Sequence, residues 1–466
     1  MYFKQFYLGC LAHGSYIIGS RGEAAVIDPQ RDVEQYINDA EEAGLEIKYI
    51  IETHLHADFV SGHRELATKT GAAIVFGKKA EALFPHRAVS NGDRLEIGDI
   101  ELLIYETPGH TPESICILAR DKTDPAAPAK LFTGDTLFIG DVGRPDLVAA
   151  RGISAREMAG MLYDSLHEKI LTLADKTEIY PAHGAGSLCG KRLSNERSST
   201  LGEQKKFNYA LKPMDKETFI DIVSSDQPEV PAYFPKDVEI NRAGAEHLED
   251  LAPLVPMSAQ DVNKQIQRGS VLLDIRSGTE FASGHVRGSM NIGLSGQFAS
   301  WAGTLIEIGT PLVLLANDPE ELDEAVMRLA RVGIETVVGY LKGGIMGWSD
   351  GGFEITQSPV VTVEELKLEL DEKEELTVVD VRRIGEYEDG HVPGAINIPL
   401  AELPRRHGEL PADRQLAIIC ASGYRSSIAK SILEGAGFTR LMNVLGGTKA
   451  WINANYEVAG ASTAPV

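Results

Sequence analysis

Cysteine is scarce in this chain of 466 residues. The four present, Cys10, Cys116, Cys189 and Cys420, are too few and too scattered for a disulfide framework. Long apolar runs are missing as well: mean hydropathy is -0.11, and nothing approaches the ~18 consecutive apolar residues of a membrane helix. The first residues, MYFKQFYLGC, lack the basic start and apolar stretch of a secretory signal, so a cytoplasmic location is expected. Positive charge is in short supply. Lys and Arg number 45 against 68 Asp and Glu, a net charge of -23 that repels phosphate backbones and speaks against nucleic acid as a partner. What remains, 43% hydrophobic and 24% charged, lies near the globular average and excludes a disordered or fibrous chain. At about 100–200 residues per domain the length predicts two to four domains.

An internal repeat organises the second half. VLLDIRSGTEFASGHVRGSMNI, from Val271, matches TVVDVRRIGEYEDGHVPGAINI, from Thr377, pairing Asp274 with Asp380, Glu280 with Glu386, His285 with His391 and Asn291 with Asn397. A later pair, KGGIMGW and LGGTKAW, ends at Trp348 and Trp451. A solenoid repeat runs only about 20–50 residues, so a repeat this long means duplicated domains. They are placed at 257–355 and 358–460. Short apolar runs alternating with helical stretches predict parallel sheets covered on both faces. The first 211 residues differ: many short β-like runs separated by Gly, Pro, Asn and Asp turns, with helices between some, predict a layered α/β domain with two sheets. Residues 212–256, rich in proline, read as an ordered strap or semi-rigid linker.

The strongest local signal is THLHADF, Thr53 to Phe59, which follows the apolar run IKYII and puts His54, His56 and Asp58 on a loop at a strand's end. His110 in ETPGHTPES, Asp135 in LFTGDTLF and His183 in IYPAHGAG stand in similar contexts. Imidazole and carboxylate donors suit zinc or iron. Just after His183, the run AHGAGSLCGKR carries Cys189, Lys191 and Arg192, cations placed to receive an anionic thiol. Two readings stay open for Cys189: a second sulfur-handling, redox-active thiol, or a buried cysteine. Cys116, in the alternating run SICIL, reads as core.

Residues 1–211 resemble the metallo-β-lactamase fold family near its glyoxalase II and persulfide dioxygenase branch, an αββα sandwich. The family pattern T-H-x-H-x-D-H, G-H-T, G-D and P-x-H-G is met at Thr53–Asp58, Gly109–Thr111, Gly134–Asp135 and Pro181–Gly184. The departure is Phe59, where two-metal hydrolases place a histidine. Phenylalanine has no lone pair, so one good site remains: His54, His110 and Asp135. Two histidines and one carboxylate leave positions open and are typical of non-haem Fe(II) that activates oxygen. The resemblance to persulfide dioxygenases implies one Fe(II) per chain on this trio, with His56, Asp58 and His183 orienting the ligands. A GxGRxDF-like segment matches at Gly143, Arg144 and Asp146, with Leu147 in place of Phe; Arg144 is expected to pair with Asp135 or Asp146, or to meet the thiol's carboxylate.

In the second repeat the strand LAIIC runs into CASGYRSS and then a helical stretch. A cysteine entering a helix N-terminus meets backbone N–H groups and the positive end of the dipole, which favour the thiolate. Arg425 adds charge for an anion, and Ser422, Gly423 and Tyr424 complete a six-residue loop. The loop is one residue shorter than in tyrosine phosphatases and resembles a rhodanese, in which Cys420 would carry sulfane sulfur. The first repeat has Asn317, Asp318, Pro319, Glu320 and Glu321 instead, with neither cysteine nor arginine, and reads as a rhodanese-like domain without that chemistry. Together these resemblances imply oxidation of a low-molecular-weight persulfide (of glutathione, coenzyme A or a similar carrier) by O2 to sulfite and thiol. Sulfur transfer forming or using thiosulfate would be coupled to it in sulfide detoxification, by a homodimer or homotetramer. The alternatives are a zinc-dependent thioester hydrolase of glyoxalase II type and a non-catalytic sulfide-sensing scaffold.

Overall fold

The computed structural model describes residues 1–460 except 150, 151, 192, 226, 228, 373 and 374. Residues 1–251, with 330–333, form one compact unit, and the rest of the chain forms a second.

The first unit holds two six-stranded sheets. In the first, Tyr2–Leu8, His13–Ser20 and Glu23–Ile27 pair antiparallel, and Glu46–Ile51, Ala73–Gly77 and Arg87–Val89 add in parallel. Two of the parallel connections are made by the helices Glu34–Glu42 and His63–Thr70, as parallel crossovers require. In the second sheet Arg94–Ile97, Ile100–Glu106, Ile115–Asp121 and Lys130–Gly134 form an antiparallel meander, Glu178–Pro181 joins in parallel, and Ser199–Thr200 pairs antiparallel with it as the sixth strand. Alternation along the strands decides which layer each residue enters. Tyr16, Ile18, Ile27 and Ile51 meet Leu102, Ile104, Ile115 and Ile117 in the core between the sheets. Their neighbours turn the other way: Ile17, Val26 and Ile50 pack under Tyr36 and Leu66, while Cys116, Leu118 and Leu131 pack under Leu162, Leu166 and Phe219. Both faces are covered, so the strands are apolar on both sides. This is the αββα sandwich the sequence led one to expect.

Of the two readings of the proline-rich segment 212–256, the structure has the ordered strap and not the semi-rigid linker. It carries the helices Lys216–Ser224 and Phe234–Ala243, and Phe219, Ile220 and Val223 enter the core of the first unit. Proline marked its turns and one helix start, where φ is already helical.

The second unit holds two five-stranded parallel sheets of the same strand order. One runs Pro256–Met257, Val337–Leu341, Leu312–Leu315, Val271–Asp274, Met290–Asn291; the other Val360–Val361, Leu441–Val444, Gln415–Ile419, Leu376–Asp380, Ile396–Asn397. The central runs LVLL and LAII are buried, as a parallel sheet covered on both faces demands. No helix among the described residues is long and apolar enough to cross a membrane.

Candidate metal centre and cysteine loop

The loop after strand Glu46–Ile51 is fixed from its first residue. Thr53 donates its backbone N–H to Asp28 Oδ1 at 2.7 Å and its hydroxyl to Asp28 Oδ2 at 2.9 Å. The hydroxyl proton being spent, Thr53 Oγ1 accepts from His54 Nδ1 at 3.0 Å, and His54 Nε2 is left with a bare lone pair. His110 is set the same way. Its Nδ1 faces the Arg144 carbonyl at 2.9 Å, an acceptor only, so Nδ1 carries the proton and Nε2 does not. Both Nε2 atoms converge on Asp135 Oδ2, at 3.8 Å from His54 and 3.4 Å from His110. All three side chains are buried, and neither Nε2 nor either Asp135 oxygen finds a hydrogen-bond partner among the described residues. Burial and the surrounding imidazoles hold the His54 pKa well below its ordinary value, so it stays neutral. Two lone pairs and a carboxylate, buried and mutually within 4.8 Å, fit a cation. Gly134, at φ 50°, turns the chain into Asp135 where a Cβ would lie 2.4 Å from Thr53 Oγ1.

His56, Asp58 and His183 gather beside this trio, also within 4.8 Å of one another, but their charges are already matched. His56 Nε2 lies 3.2 Å from both Asp28 and Glu52, and His183 Nε2 lies 3.4 Å from Asp58. Burial pulls the His183 pKa down, yet Asp135 and Asp58 together raise it to about 9. Phe59 fills the remaining side, its ring centroid 4.1 Å from that of His13 and 4.5 Å from that of His56.

Arg144 pairs with Asp146, Nε to Oδ1 at 2.7 Å and a terminal nitrogen to Oδ2 at 2.8 Å, and donates to the Leu188 carbonyl. Its guanidinium is therefore committed to the fold, and its contribution to the centre runs through the carbonyl that orients His110. Cys189 is buried with its sulfur within 4.8 Å of the Asp135 and His183 donor atoms. Burial first, then Asp58 and Asp135, pushes its thiol well above the usual range, so it is protonated. Arg192 lies outside the described residues.

Sequence reading missed the supports. Asn241, from the proline-rich segment, donates to the carbonyls of His56 at 2.8 Å and Phe59 at 2.7 Å and accepts from Ser61 N–H at 2.8 Å. Glu52 accepts from Ser61 Oγ, and Glu113 from Leu55 N–H. Asn241 and Glu113 stand apart in sequence from the loop they hold, and no local motif marks them or Glu52.

In the second unit Cys420 is buried at the end of strand Gln415–Ile419. The Gly423 N–H donates to its sulfur at 3.1 Å, and Ser426 Oγ lies 3.4 Å away. Gly423, at φ 109°, opens the helix Tyr424–Gly435. Arg425 grips Glu386 through two 2.7 Å bonds, so its charge stands beside the loop already paired. Ser422 is exposed at the loop's rim. At the matching place in the first repeat, Asn317 donates to Glu280 at 2.6 Å.

Two family models account for most of the chain: "Metallo-beta-lactamase superfamily" over residues 8–183 and "Rhodanese-like domain" over 258–350 and 362–454. The persulfide dioxygenase ETHE1 of Bos taurus is 32% identical over 208 residues, 43% of this chain and 76% of that protein. The cytoplasmic hydroxyacylglutathione hydrolase of Arabidopsis thaliana is 34% identical over 185 residues, 39% of this chain and 67% of that one. A crystal structure of a metallo-beta-lactamase from Staphylococcus aureus superposes with a TM-score of 0.65 at 35% identity, covering 73% of this chain and 98% of that one. The chain belongs to the metallo-beta-lactamase superfamily. Behind its metallo-beta-lactamase domain stand two rhodanese-like domains, of which only the second has a cysteine in its loop.

Proposed function

We propose that this sulfur-handling enzyme is a persulfide dioxygenase fused to a rhodanese. It would oxidise a low-molecular-weight thiol persulfide, such as glutathione persulfide, with O2 and water to sulfite and thiol on one Fe(II) per chain. Cys420 would move sulfane sulfur to or from thiosulfate. The observation that carries the reading is the buried trio His54, His110 and Asp135, with both Nε2 atoms aimed at one carboxylate oxygen, beside a Phe59 that offers no lone pair to a second ion. An Fe(II) bound there would supply the centre at which persulfide and O2 react. The chain's own part is to hold both Nε2 atoms deprotonated and aimed, through Thr53 and the Arg144 carbonyl. The His183 imidazolium, against Asp58, keeps a proton within reach of the centre. The relative named as a persulfide dioxygenase supports the reading.

A relative named as a hydroxyacylglutathione hydrolase keeps a thioesterase in view, and Phe59 argues against it. Iron and zinc would be quantified in protein purified without added metal, and O2 uptake followed with glutathione persulfide. We expect about one iron per chain and uptake abolished by His110→Ala. Zinc, with hydrolysis of lactoylglutathione and no uptake, would establish the hydrolase.

A further inference from the structure

The cysteine-less repeat touches the helix that carries the Cys420 loop at four successive levels. Tyr424 donates its hydroxyl to the Gly293 carbonyl at 2.8 Å. Its ring lies so close to that segment that a methyl group at Gly293 or Gly296 would sit 3.6 or 3.5 Å from it. One turn on, Ser427 donates to Asn291 Oδ1 at 2.7 Å; next, Ser431 Oγ accepts from Asn291 N–H at 3.0 Å; and Glu434 meets His285 Nε2 at 2.9 Å.

These contacts are additions to what the rhodanese-like fold needs. Asn291 bonds the carbonyls of Asp274 and Arg276 within its own repeat, and Asn397 makes the same two bonds to Asp380 and Arg382. His285 and His391 likewise share a bond from Nδ1 to a carbonyl four residues back, at Phe281 and Tyr387. Among the described residues, only in the first repeat do these shared residues also reach the helix of its neighbour. The uppermost contact is made one residue beyond Gly423, whose N–H points at the Cys420 sulfur.

We propose that the cysteine-less repeat is the positioning half of the Cys420 site, and that Tyr424 is the positioning residue through which it holds the Gly423 N–H against the sulfur. The proposal rests on the reading of Cys420 as a sulfur carrier. Tyr424→Phe removes the anchoring hydroxyl. Gly293→Val, in the other repeat, pushes on the Tyr424 ring from a position outside the left-handed region. In the full-length protein, alkylation of Cys420 by iodoacetamide would be followed by mass spectrometry of its peptide, alongside KM and kcat for thiosulfate.

Each variant should slow alkylation about fivefold, the worth of one neutral hydrogen bond, and raise KM more than it lowers kcat. The double variant should equal either single, because both break one contact. Wild-type alkylation in Tyr424→Phe, or additive effects in the double, would overturn the proposal. If either variant fails to fold, Ser427→Ala reads the next contact down: slowed alkylation supports positioning, and an unchanged rate defeats it. A wild-type protein that transfers no sulfur would defeat the reading of Cys420 instead, while the alkylation rates still decide the positioning.

Discussion

The two rhodanese-like repeats share one scaffold and differ in one loop. In both, a buried aspartate grips the arginine two residues on: Asp274 with Arg276, Asp380 with Arg382. In both, a tryptophan near the end donates to a carbonyl six residues later, Trp348 to Glu354 and Trp451 to Glu457. Even the glutamate after the second strand is kept. Glu386 receives Arg425, and Glu280 receives Asn317 in the same place. The scaffold is thus indifferent to chemistry, and replacing the cysteine loop with Asn317–Glu321 left the shared pairs intact. What the first repeat kept is the surface that meets its neighbour's helix.

The largest expected effect separates loop from scaffold. Cys420→Ser should abolish transfer of sulfur from thiosulfate by at least about a thousandfold, since the nucleophile itself is lost. Asn317→Cys should create no activity in return. Its loop has no arginine, and Asp318, Glu320 and Glu321 repel a sulfur anion. Thiosulfate turnover by an Asn317→Cys, Cys420→Ser double variant would show the two loops to be equivalent and break the comparison.

Next comes the scaffold. Asp380→Ala and Asp274→Ala each strand a buried guanidinium, and each should cost about 3–5 kcal/mol in denaturant unfolding. Similar losses in the two repeats would show that the pairs serve folding alike. A far larger loss in one would show that repeat to carry the unit.

These pairs were legible because they recur at a fixed offset, and the gathering of His54, His110 and Asp135 was legible because each follows a strand in a recognisable turn. Two kinds of feature were not. Asn241 bonds Ser61, 180 positions away, so nothing local to either residue signals the contact. The segment bearing Asn241 reads as an ordered strap or semi-rigid linker because proline is taken for a break, and the sequence does not show that its prolines frame helices, one of which sends Phe219, Ile220 and Val223 into the core. Side-chain direction was the second kind: Arg144 matched a motif, but only coordinates show that its guanidinium serves Asp146 and its carbonyl serves His110.

A pH series sharpens the same comparison by a smaller effect. Burial raises the Glu386 pKa, and the Arg425 bonds more than reverse this, leaving it below the ordinary value. A carboxyl with a depressed folded pKa contributes stability above its unfolded pKa and loses it as pH falls. The Arg425 pair should therefore persist through about pH 4.3 and loosen only as pH falls further, through the depressed folded value, and Cys420 alkylation, followed down the series, should fall off from its trend there. Glu386→Gln should remove that inflection. Glu280 is also held low, by Ser277, but it faces Asn317 and no cation of its loop, so Glu280→Gln should leave the Cys420 profile as it was.

The smallest effect concerns whether the repeats unfold separately. The chain has three tryptophans, Trp301 and Trp348 in the first repeat and Trp451 in the second. Trp451→Phe leaves fluorescence reporting the first repeat alone; Trp301→Phe with Trp348→Phe leaves it reporting the second. Trp348 and Trp451 each give up one hydrogen bond in these variants, at a cost of about 1 kcal/mol, so both proteins should remain folded. The bonds from Asn291, Gly293 and His285 to the helix Tyr424–Gly435 tie the repeats into one cooperative body. The two fluorescence transitions should therefore coincide in urea. Ser427→Ala and Tyr424→Phe, by removing two of those ties, should draw the midpoints apart, with the cysteine-bearing repeat unfolding first because its helix loses the support. Midpoints already separate in the parent proteins would mean that the first repeat stands beside the second without holding it.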